Sequence, residues 1–160
     1  MNQKSRRDFV AGAGAALLGG AAVASASQPS VEPSGDQGRK VIPGSPYATF
    51  SRAVRLDKLV FVAGVVGQKP GTQELVAGGF EAEARQALEN LKASVEASGS
   101  RMSNVLKCTV FIKDADDFAV FNKVYVTFFP KDPPARSSVV VKDLVVPAAR
   151  LEIDCVTCLD

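Results

Sequence analysis

The sequence predicts an α+β domain built on one mixed sheet that carries both of its helices on the same face. Two segments have helical periodicity, and five short apolar, β-branched segments surround them in the order β-β-α-β-α-β-β. Each predicted helix is apolar on one side only and therefore packs on the sheet. At 160 residues the chain has the length of one domain with a core of its own.

The first two predicted strands cover residues 48–54 and 59–66 and are joined by a polar turn at residues 55–58. The second strand is apolar on both faces, which predicts a central position in the sheet. Gly64 and Gly67 interrupt it. Glycine inside a strand marks either a bulge or the close approach of a ligand or another backbone, and both interpretations are open.

The first predicted helix covers residues 79–98, and Gly99 is suited to end it. Apolar side chains at helical spacing predict its buried face: Phe80, Ala84, Ala87, Leu88, Leu91 and Val95. Charged side chains predict its solvated face: Glu81, Glu83, Arg85, Glu89, Lys92 and Glu96.

The third strand is predicted at residues 105–113, and the acidic residues at 114–117 suit the N-cap of a second helix. That helix runs to Phe129, and Pro130 ends it. Four aromatic residues form one stripe at helical spacing, which is typical of a core rather than of a cofactor site: Phe118, Phe121, Tyr125 and Phe128.

The last two predicted strands cover residues 137–145 and 149–158. Like the second and third strands, they are apolar on both sides, yet two helices can cover only one face of the sheet. We therefore expect self-association in a symmetric oligomer to cover the other face, with clefts between the subunits.

The first 26 residues have the pattern of an export signal. A basic, polar start is followed by an apolar run rich in Gly and Ala, and Ala24-Ser25-Ala26 forms a small-x-small cleavage pattern. Arg6 and Arg7 match the twin-arginine signal of proteins that are exported already folded. An uncleaved membrane anchor is the alternative, but the run is short and poorly apolar for a span. The predicted location of the mature protein is therefore periplasmic or secreted, with no membrane attachment after cleavage.

Residues 27–40 are rich in Pro, Gly and Ser without a periodic pattern, which predicts a flexible leader before a folded domain at residues 41–160. The formal net charge of the chain is +2. Lys4, Arg6, Arg7 and Asp8 carry a net +2 in the signal, so the mature chain is close to neutral. It has no basic stripe interleaved with aromatic residues, and a nucleic-acid partner is not expected.

Histidine is absent from the chain, which excludes several kinds of chemistry. Neither a Ser-His-Asp nor a Cys-His arrangement is possible, and a metal site would need carboxylates or thiolates alone. Glycine-rich loops of the dinucleotide-binding or nucleoside triphosphate type do not occur either. We therefore predict no cofactor and no metal, and any reaction must use Arg, carboxylates, Tyr, Ser, Cys or backbone groups.

Cys155 and Cys158 have the spacing of a redox motif, but they end a strand rather than begin a helix. Residues three apart in a strand point to opposite faces, and a regular backbone keeps them too far apart for a disulfide. Buried thiols are the favoured interpretation for these residues and for Cys108, and the sequence leaves their redox state open.

Arg136 and Glu152 are the two charged residues that stand out in the last pair of predicted strands. Arg136 opens one strand, and Glu152 lies among the apolar residues of the other. A solvated strand end would explain the arginine, and an ion pair across an interface would explain the glutamate.

Several segments resemble, in order, those of the RidA family of reactive intermediate deaminases, also called the YjgF type. The match covers nearly the whole mature chain, from residue 42 to residue 160. The segments that carry it are residues 43–47 (PGSPY), 62–64 (VAG), 83–99 (EARQALENLKASVEASG), 107–129 (KCTVFIKDADDFAVFNKVYVTFF), 133–141 (PPARSSVVV) and 151–157 (LEIDCVT).

The resemblance implies a chorismate-mutase-like fold in a homotrimer whose sites lie at the subunit interfaces. It also implies hydrolysis of enamines and imines, such as 2-aminoacrylate, 2-iminopropanoate and 2-iminobutanoate, to 2-oxo acids and ammonia. Arg136 falls on the position of the family's carboxylate-binding arginine, and Glu152 on its conserved glutamate. The remaining residues that the resemblance places in the substrate site are Tyr47, Gly64, Asn122 and Ser138.

The chain differs from the family pattern at the border of the implied pocket. Ala63 stands where the family often has serine, and residues 65–69 (VVGQK) differ from its usual QIP run. These differences bear on the range of substrates rather than on the fold. A second function stays open, namely a non-catalytic module on the same trimeric scaffold that binds small carboxylates or another protein.

Overall fold

The computed structural model describes residues 38–44 and 49–160, which form one six-stranded sheet and two α-helices. The elements are β1 Arg39–Ile42, β2 Ala53–Leu56, β3 Leu59–Val66, α1 Gly79–Ala97, β4 Val105–Ile112, α2 Phe118–Phe128, β5 Ala135–Val140 and β6 Leu151–Cys158. The strand order across the sheet is β1-β2-β3-β6-β4-β5. Only the β4–β5 pair is parallel, which confirms the predicted mixed sheet.

The beginning of the sheet differs from the prediction, because the strand at Arg39–Ile42 was not expected and adds a sixth strand to the five predicted. It pairs with β2 at the sheet edge and exposes most of its side chains, so the period-two pattern of a half-buried strand is missing. The first strand thus begins at Arg39, close to the expected start of the folded unit near Val41. The predicted strand at residues 48–54 is confirmed only at its end, since β2 begins at Ala53.

The other element boundaries follow the prediction closely except at β5. The prediction of residues 137–145 is wrong, because β5 runs from Ala135 to Val140 and stops with its parallel partner β4 at Ile112. Beyond it the chain turns away, and Val145 is 95% exposed. The two helices lie where they were predicted, and the left-handed Gly99, with a φ of 86°, follows α1 as expected.

The core lies between one face of the sheet and the two helices, so we call this face the helix face. Alternate residues of β6 point into it and are buried: Leu151, Ile153, Cys155 and Thr157. The predicted apolar face of α1 is buried against them, and α2 contributes Phe121, Val124 and Tyr125. Both helices therefore pack on the same side of the sheet, as predicted.

Glu83 contradicts the prediction of a fully solvated charged face on α1. It is only 6% exposed, and its carboxylate accepts hydrogen bonds from the backbone N–H groups of Arg150 at 2.7 Å and Leu151 at 3.2 Å. Two donors at the start of β6 thus compensate the burial of this carboxylate. A side chain at Gly67 would overlap Glu83, because an added Cβ would lie 2.5 Å from its Cγ.

The second face of the sheet, which we call the open face, carries apolar side chains that no element among the described residues covers. Leu59 is 43% exposed and Phe61 is 49% exposed, although both belong to a central strand. Val41 and Leu56 extend the same surface toward the sheet edge. Large contiguous apolar surfaces are typical of protein interfaces, so the structure has the uncovered face from which self-association was predicted.

The predicted signal at residues 1–26 and most of the predicted leader lie outside the described residues. Within residues 38–44 and 49–160, neither helix has the length and hydrophobicity that a membrane span requires. The three cysteines are free; Cys155 points to the helix face, and Cys158 lies on the open face. The two residues of the CxxC spacing therefore point to opposite faces, as predicted.

Candidate functional site

Arg136 lies on β5, at the edge of the sheet, and points to the helix face. This orientation follows from the register, because Arg136 is opposite the buried Cys108 of β4. The side chain consequently reaches along α2 rather than into the open face. Its terminal nitrogen donates a hydrogen bond of 2.8 Å to the Asn122 side-chain oxygen.

Three aromatic rings of α2 surround the Arg136 guanidinium. The distance from its Cζ to the ring centroid is 4.6 Å for Tyr125, 5.4 Å for Phe118 and 5.6 Å for Phe121. These distances are within the range of cation–π attraction, which fixes the direction of the guanidinium while leaving it charged. No carboxylate within the described ranges forms an ion pair with Arg136, so its charge is available to an anion.

The aromatic stripe was predicted as core, and this is correct for Phe121 and Tyr125 but incomplete. The same rings that pack into the core also hold the arginine, and Phe118 remains 38% exposed beside it. Sequence reasoning missed this second role. The available signal was Asn122, a polar residue set among aromatic residues on the helix that faces the strand of Arg136.

Ser138 lies two residues after Arg136 on the same face of β5. It lines a groove of about 220 Å³ between β5 and the beginning of α2, and Phe118 forms part of the same wall. Arg136, Asn122 and Ser138, three of the residues that the resemblance places in the substrate site, therefore lie together on the helix face. We call these three residues the arginine group.

Glu152 lies on β6, and its side chain is on the opposite side of the sheet from the arginine group. It alternates with the buried core residues Leu151 and Ile153, which places it on the open face. Its side chain is half-buried and forms no hydrogen bond or ion pair with any of the residues that the structure describes. Burial raises the pKa of Glu152, and the Asp154 carboxylate on the same face raises it further.

Gly64 lies directly beside Glu152, at a break in the register between β3 and β6. The register shifts between Val62 and Val65, so Gly64 is part of a bulge. A Cβ added to Gly64 would lie 2.1 Å from the Glu152 Oε1, a distance that no side chain could occupy without moving the glutamate. The bulge is therefore confirmed for this glycine, and the group that approaches it closely is the side chain of Glu152 rather than a ligand or another backbone. We call Gly64 and Glu152 the glutamate group.

The structure does not bring the arginine group and the glutamate group together within one chain. The sheet itself separates Arg136, on the helix face, from Glu152, on the open face. Tyr47, the remaining predicted site residue, lies outside the described residues. No cluster of His, Cys, Asp or Glu suited to a metal ion occurs in residues 38–44 and 49–160.

Tyr125 links the arginine group to two buried thiols that sequence reasoning did not place there. Its hydroxyl is buried and interacts with the Cys108 thiol without a hydrogen bond of ordinary geometry. Cys108 lies directly opposite Cys155 on the neighbouring strand. Burial raises the pKa of the Cys108 thiol to about 11, so this thiol is un-ionised at neutral pH and supports the site by packing rather than as a nucleophile.

The sequence profile of the family described as "Endoribonuclease L-PSP" matches residues 43–159. Two curated relatives have comparable identity to the chain. The "RutC family protein UK114" of Drosophila melanogaster is 43% identical over 111 residues, which are 69% of this chain and 80% of the relative. The "2-iminobutanoate/2-iminopropanoate deaminase" of Dermatophagoides farinae is 40% identical over 115 residues, which are 72% of this chain and 89% of the relative.

A solved structure with the same fold is that of Escherichia coli TdcF with bound serine. It superimposes with a TM-score of 0.70 at 34% sequence identity, and the match covers 76% of this chain and 99% of the other. The structural match thus covers most of this chain and nearly all of the other.

Proposed function

The chain belongs to the Endoribonuclease L-PSP family, the RidA or YjgF-type proteins, and from that premise we propose that it hydrolyses 2-imino acids to 2-oxo acids and ammonia. The relative from Dermatophagoides farinae bears the name of this activity at 40% identity. The expected substrates are 2-iminopropanoate and 2-iminobutanoate, together with the enamines from which they form. No cofactor is required, because the carbon–nitrogen double bond of the substrate is already electrophilic.

The observation that carries this proposal is the state of Arg136. Its guanidinium is held in position by Asn122 and by three aromatic rings, yet it has no carboxylate partner among the described residues. A planar guanidinium binds a carboxylate through two parallel charge-assisted hydrogen bonds. A 2-imino acid has one such carboxylate next to its reactive carbon, so Arg136 would fix the position of that carbon. The serine bound to TdcF is likewise a small carboxylate.

We further propose that the complete site forms between neighbouring subunits of a homotrimer. The arginine group and the glutamate group lie on opposite faces of one sheet, and an apolar open face surrounds the glutamate group. Packing of that face against a neighbour would bury the apolar surface and bring a Glu152 to a neighbouring Arg136. Light scattering on the mature chain is expected to give about three times the monomer mass, and a stable monomer would remove the intersubunit site.

The reaction needs a water molecule and a group that accepts its proton. The water oxygen attacks the iminium carbon, and the electrons of the C=N bond move to nitrogen, which gives a tetrahedral aminoalcohol. The proton lost by water passes to Glu152 and then to the amino group. Ammonia leaves as the C=O bond forms, and the proton of the hydroxyl group passes back to Glu152 and from there to the released ammonia or to solvent. Glu152 suits this role because its raised pKa makes it a stronger base than an exposed carboxylate. Positioning by Arg136 supplies the remaining acceleration.

The assay generates 2-iminopropanoate or 2-iminobutanoate in situ with an amino-acid oxidase and follows its loss while semicarbazide competes for it. The wild-type chain is expected to accelerate the loss, and Arg136→Ala is expected to abolish the acceleration. If wild type and Arg136→Ala are equally inactive on every imine, the deaminase proposal is wrong. Binding of 2-oxo acids that depends on Arg136 without turnover would then favour the small-carboxylate-binding module.

We also propose that the mature protein acts outside the cytoplasm, because the first residues have the pattern of a twin-arginine signal. The double substitution Arg6→Lys and Arg7→Lys is expected to stop export and leave unprocessed precursor in the cytoplasm. Mass spectrometry of the periplasmic fraction is expected to find a mature N-terminus at Ser27. Continued export of the double variant would overturn the signal assignment and leave the deaminase proposal untouched.

A further inference from the structure

The groove beside Arg136 is a cavity to which the proposed hydrolysis mechanism assigns no role. It lies between β5 and the turn that leads into α2, and its volume is about 220 Å³. Most of the side chains that line it are apolar, among them Ile112, Ala115, Phe118 and Val140, and Ser138 and Asp114 are polar. A reaction that needed only a carboxylate anchor and a water molecule would not require such a space.

The groove is continuous with the arginine group. Phe118 both contacts the Arg136 guanidinium, at 5.4 Å from ring centroid to Cζ, and lines the groove. Ser138 and Val140 follow Arg136 on the same face of β5, so the groove begins roughly 7 Å along the strand from the arginine. A molecule whose carboxylate is bound by Arg136 can therefore extend a short chain into the groove.

The charge at the groove limits which chains it accepts. Asp114 is the only charged residue among those that line it, and it is exposed to solvent. Its side chain accepts a hydrogen bond of 3.0 Å from the Asp116 backbone N–H, which holds the carboxylate in place. An apolar chain would be buried against the walls, whereas a chain ending in a second carboxylate would meet a like charge.

We propose that this groove is the subsite for the side chain of the bound acid, and that it binds 2-imino and 2-oxo acids with aliphatic side chains of three or four carbons more tightly than the shorter 2-iminopropanoate and 2-iminobutanoate, which the site also accepts. The proposal rests on the proposed function only for the position of the carboxylate on Arg136. Acids with a methyl side chain leave the groove empty, and acids with a carboxylate-bearing side chain are rejected. The groove thus sets the order of preference among substrates that Arg136 alone does not distinguish.

Isothermal titration calorimetry on the full chain tests this with pyruvate, 4-methyl-2-oxopentanoate and 2-oxoglutarate. Each buried methylene group is worth about a fourfold gain in affinity, so 4-methyl-2-oxopentanoate is expected to bind at least about tenfold more tightly than pyruvate. 2-Oxoglutarate is expected to bind at least about tenfold more weakly than 4-methyl-2-oxopentanoate. Its terminal carboxylate does not gain affinity from apolar burial, and the Asp114 carboxylate repels it.

Two variants alter the groove in different ways. Ala115→Leu fills it and is expected to reduce the affinity ratio of 4-methyl-2-oxopentanoate to pyruvate to less than about threefold. Val140→Thr keeps the shape of an exposed strand residue but adds a hydroxyl, and is expected to lower the same ratio by several-fold. The matched control is Ala93→Leu, the same substitution at an exposed position of α1, which is expected to leave the ratio as in wild type.

Equal affinities for the long and the short acid in wild type would overturn the subsite, and so would a ratio that neither groove variant changes. Failure of all three acids to bind would overturn both the subsite and the carboxylate anchor. The imine assay separates the two proposals when the acids do bind. Turnover without side-chain preference contradicts the subsite alone, and selective binding without turnover supports the subsite while it contradicts the deaminase.

Discussion

The arginine group and the glutamate group differ in how far a single chain completes them. On the helix face, Arg136 is held by Asn122 and by rings of α2, so its geometry is fixed within the fold. On the open face, Glu152 is half-buried without a partner among the described residues, and apolar side chains around it are exposed. One half of the site is thus preorganised by the monomer, whereas the other half has the properties of a surface that a neighbour covers.

Removal of the guanidinium is expected to give the largest effect. Arg136→Ala removes two charge-assisted hydrogen bonds to the substrate carboxylate and should lower kcat/KM roughly 10²–10⁴-fold. Arg136→Lys retains the charge without the two-pronged geometry and should recover only part of the loss. Affinity for a 2-oxo acid, measured by calorimetry, should fall in the same order. Unchanged affinity in Arg136→Ala would show that the carboxylate binds elsewhere.

Glu152→Gln tests the other half of the site. It is expected to lower kcat roughly 10²-fold, because it removes the base while keeping the shape of the side chain. Because the pKa of Glu152 is raised, its carboxylate becomes protonated at a higher pH than an ordinary glutamate as the pH falls. Wild-type activity should therefore decline at a pH above the usual titration range of glutamate. This decline, the acid limb of the pH–activity profile, should be absent from the residual activity of Glu152→Gln.

Asp154→Asn is the matched control for that pH dependence. Asp154 raises the pKa of Glu152 by like-charge repulsion, so its neutralisation should move the acid limb to lower pH without abolishing activity. A limb that stays in place in Asp154→Asn, or that persists in Glu152→Gln, would assign the titration to another group.

Substitution of Asn122, in the arginine group, is expected to have a smaller effect than substitution of Arg136 or Glu152. Asn122→Ala removes the hydrogen bond that orients Arg136 and should raise KM roughly tenfold, since the rings still hold the guanidinium. Asn122→Asp should weaken binding more than Asn122→Ala, because the new carboxylate would compete with the substrate for the arginine charge. Steady-state kinetics on both variants checks the order, and the reverse order would show that Asn122 does not act through Arg136.

Glu83 is expected to affect stability more than chemistry. Glu83→Ala leaves the partly buried N–H group of Arg150 and the buried N–H group of Leu151 without their acceptor and should lower the free energy of unfolding by roughly 1–3 kcal/mol. Glu83→Gln keeps an acceptor oxygen and should recover much of that loss. Glu89→Ala, on the exposed side of α1, is the control for urea denaturation. Equal losses at Glu83 and Glu89 would contradict the role of Glu83.

The sequence predicts those helices and strands whose apolar residues form a recognisable pattern. It does not predict structural features that depend on contacts between residues far apart in the chain. The apolar stripe of α1 and the apolar, β-branched run of β6 made both elements predictable. The edge strand β1 was missed because its polar side chains are exposed, and the burial of Glu83 was missed because its donors lie at residues 150 and 151.

The prediction of the candidate site from sequence has the same limit. The resemblance to the RidA family indicated a carboxylate site at Arg136 and Glu152, but the face to which each side chain points depends on strand register, which the motifs do not contain. The neighbours of Arg136 on α2 depend on the packing of that helix against β5. The division of the site between two faces of the sheet therefore became visible only in the fold.

Complementation between two inactive variants tests most directly whether the two groups act from different subunits. Arg136→Ala and Glu152→Gln are unfolded separately, mixed in equal amounts and refolded together, and the imine assay is run on the mixture. If each site takes its arginine from one chain and its glutamate from another, random assembly leaves roughly one quarter of the sites intact, and the mixture should regain about that share of wild-type activity. A mixture no more active than the two variants refolded alone would show that both residues act within one chain and would contradict the intersubunit site.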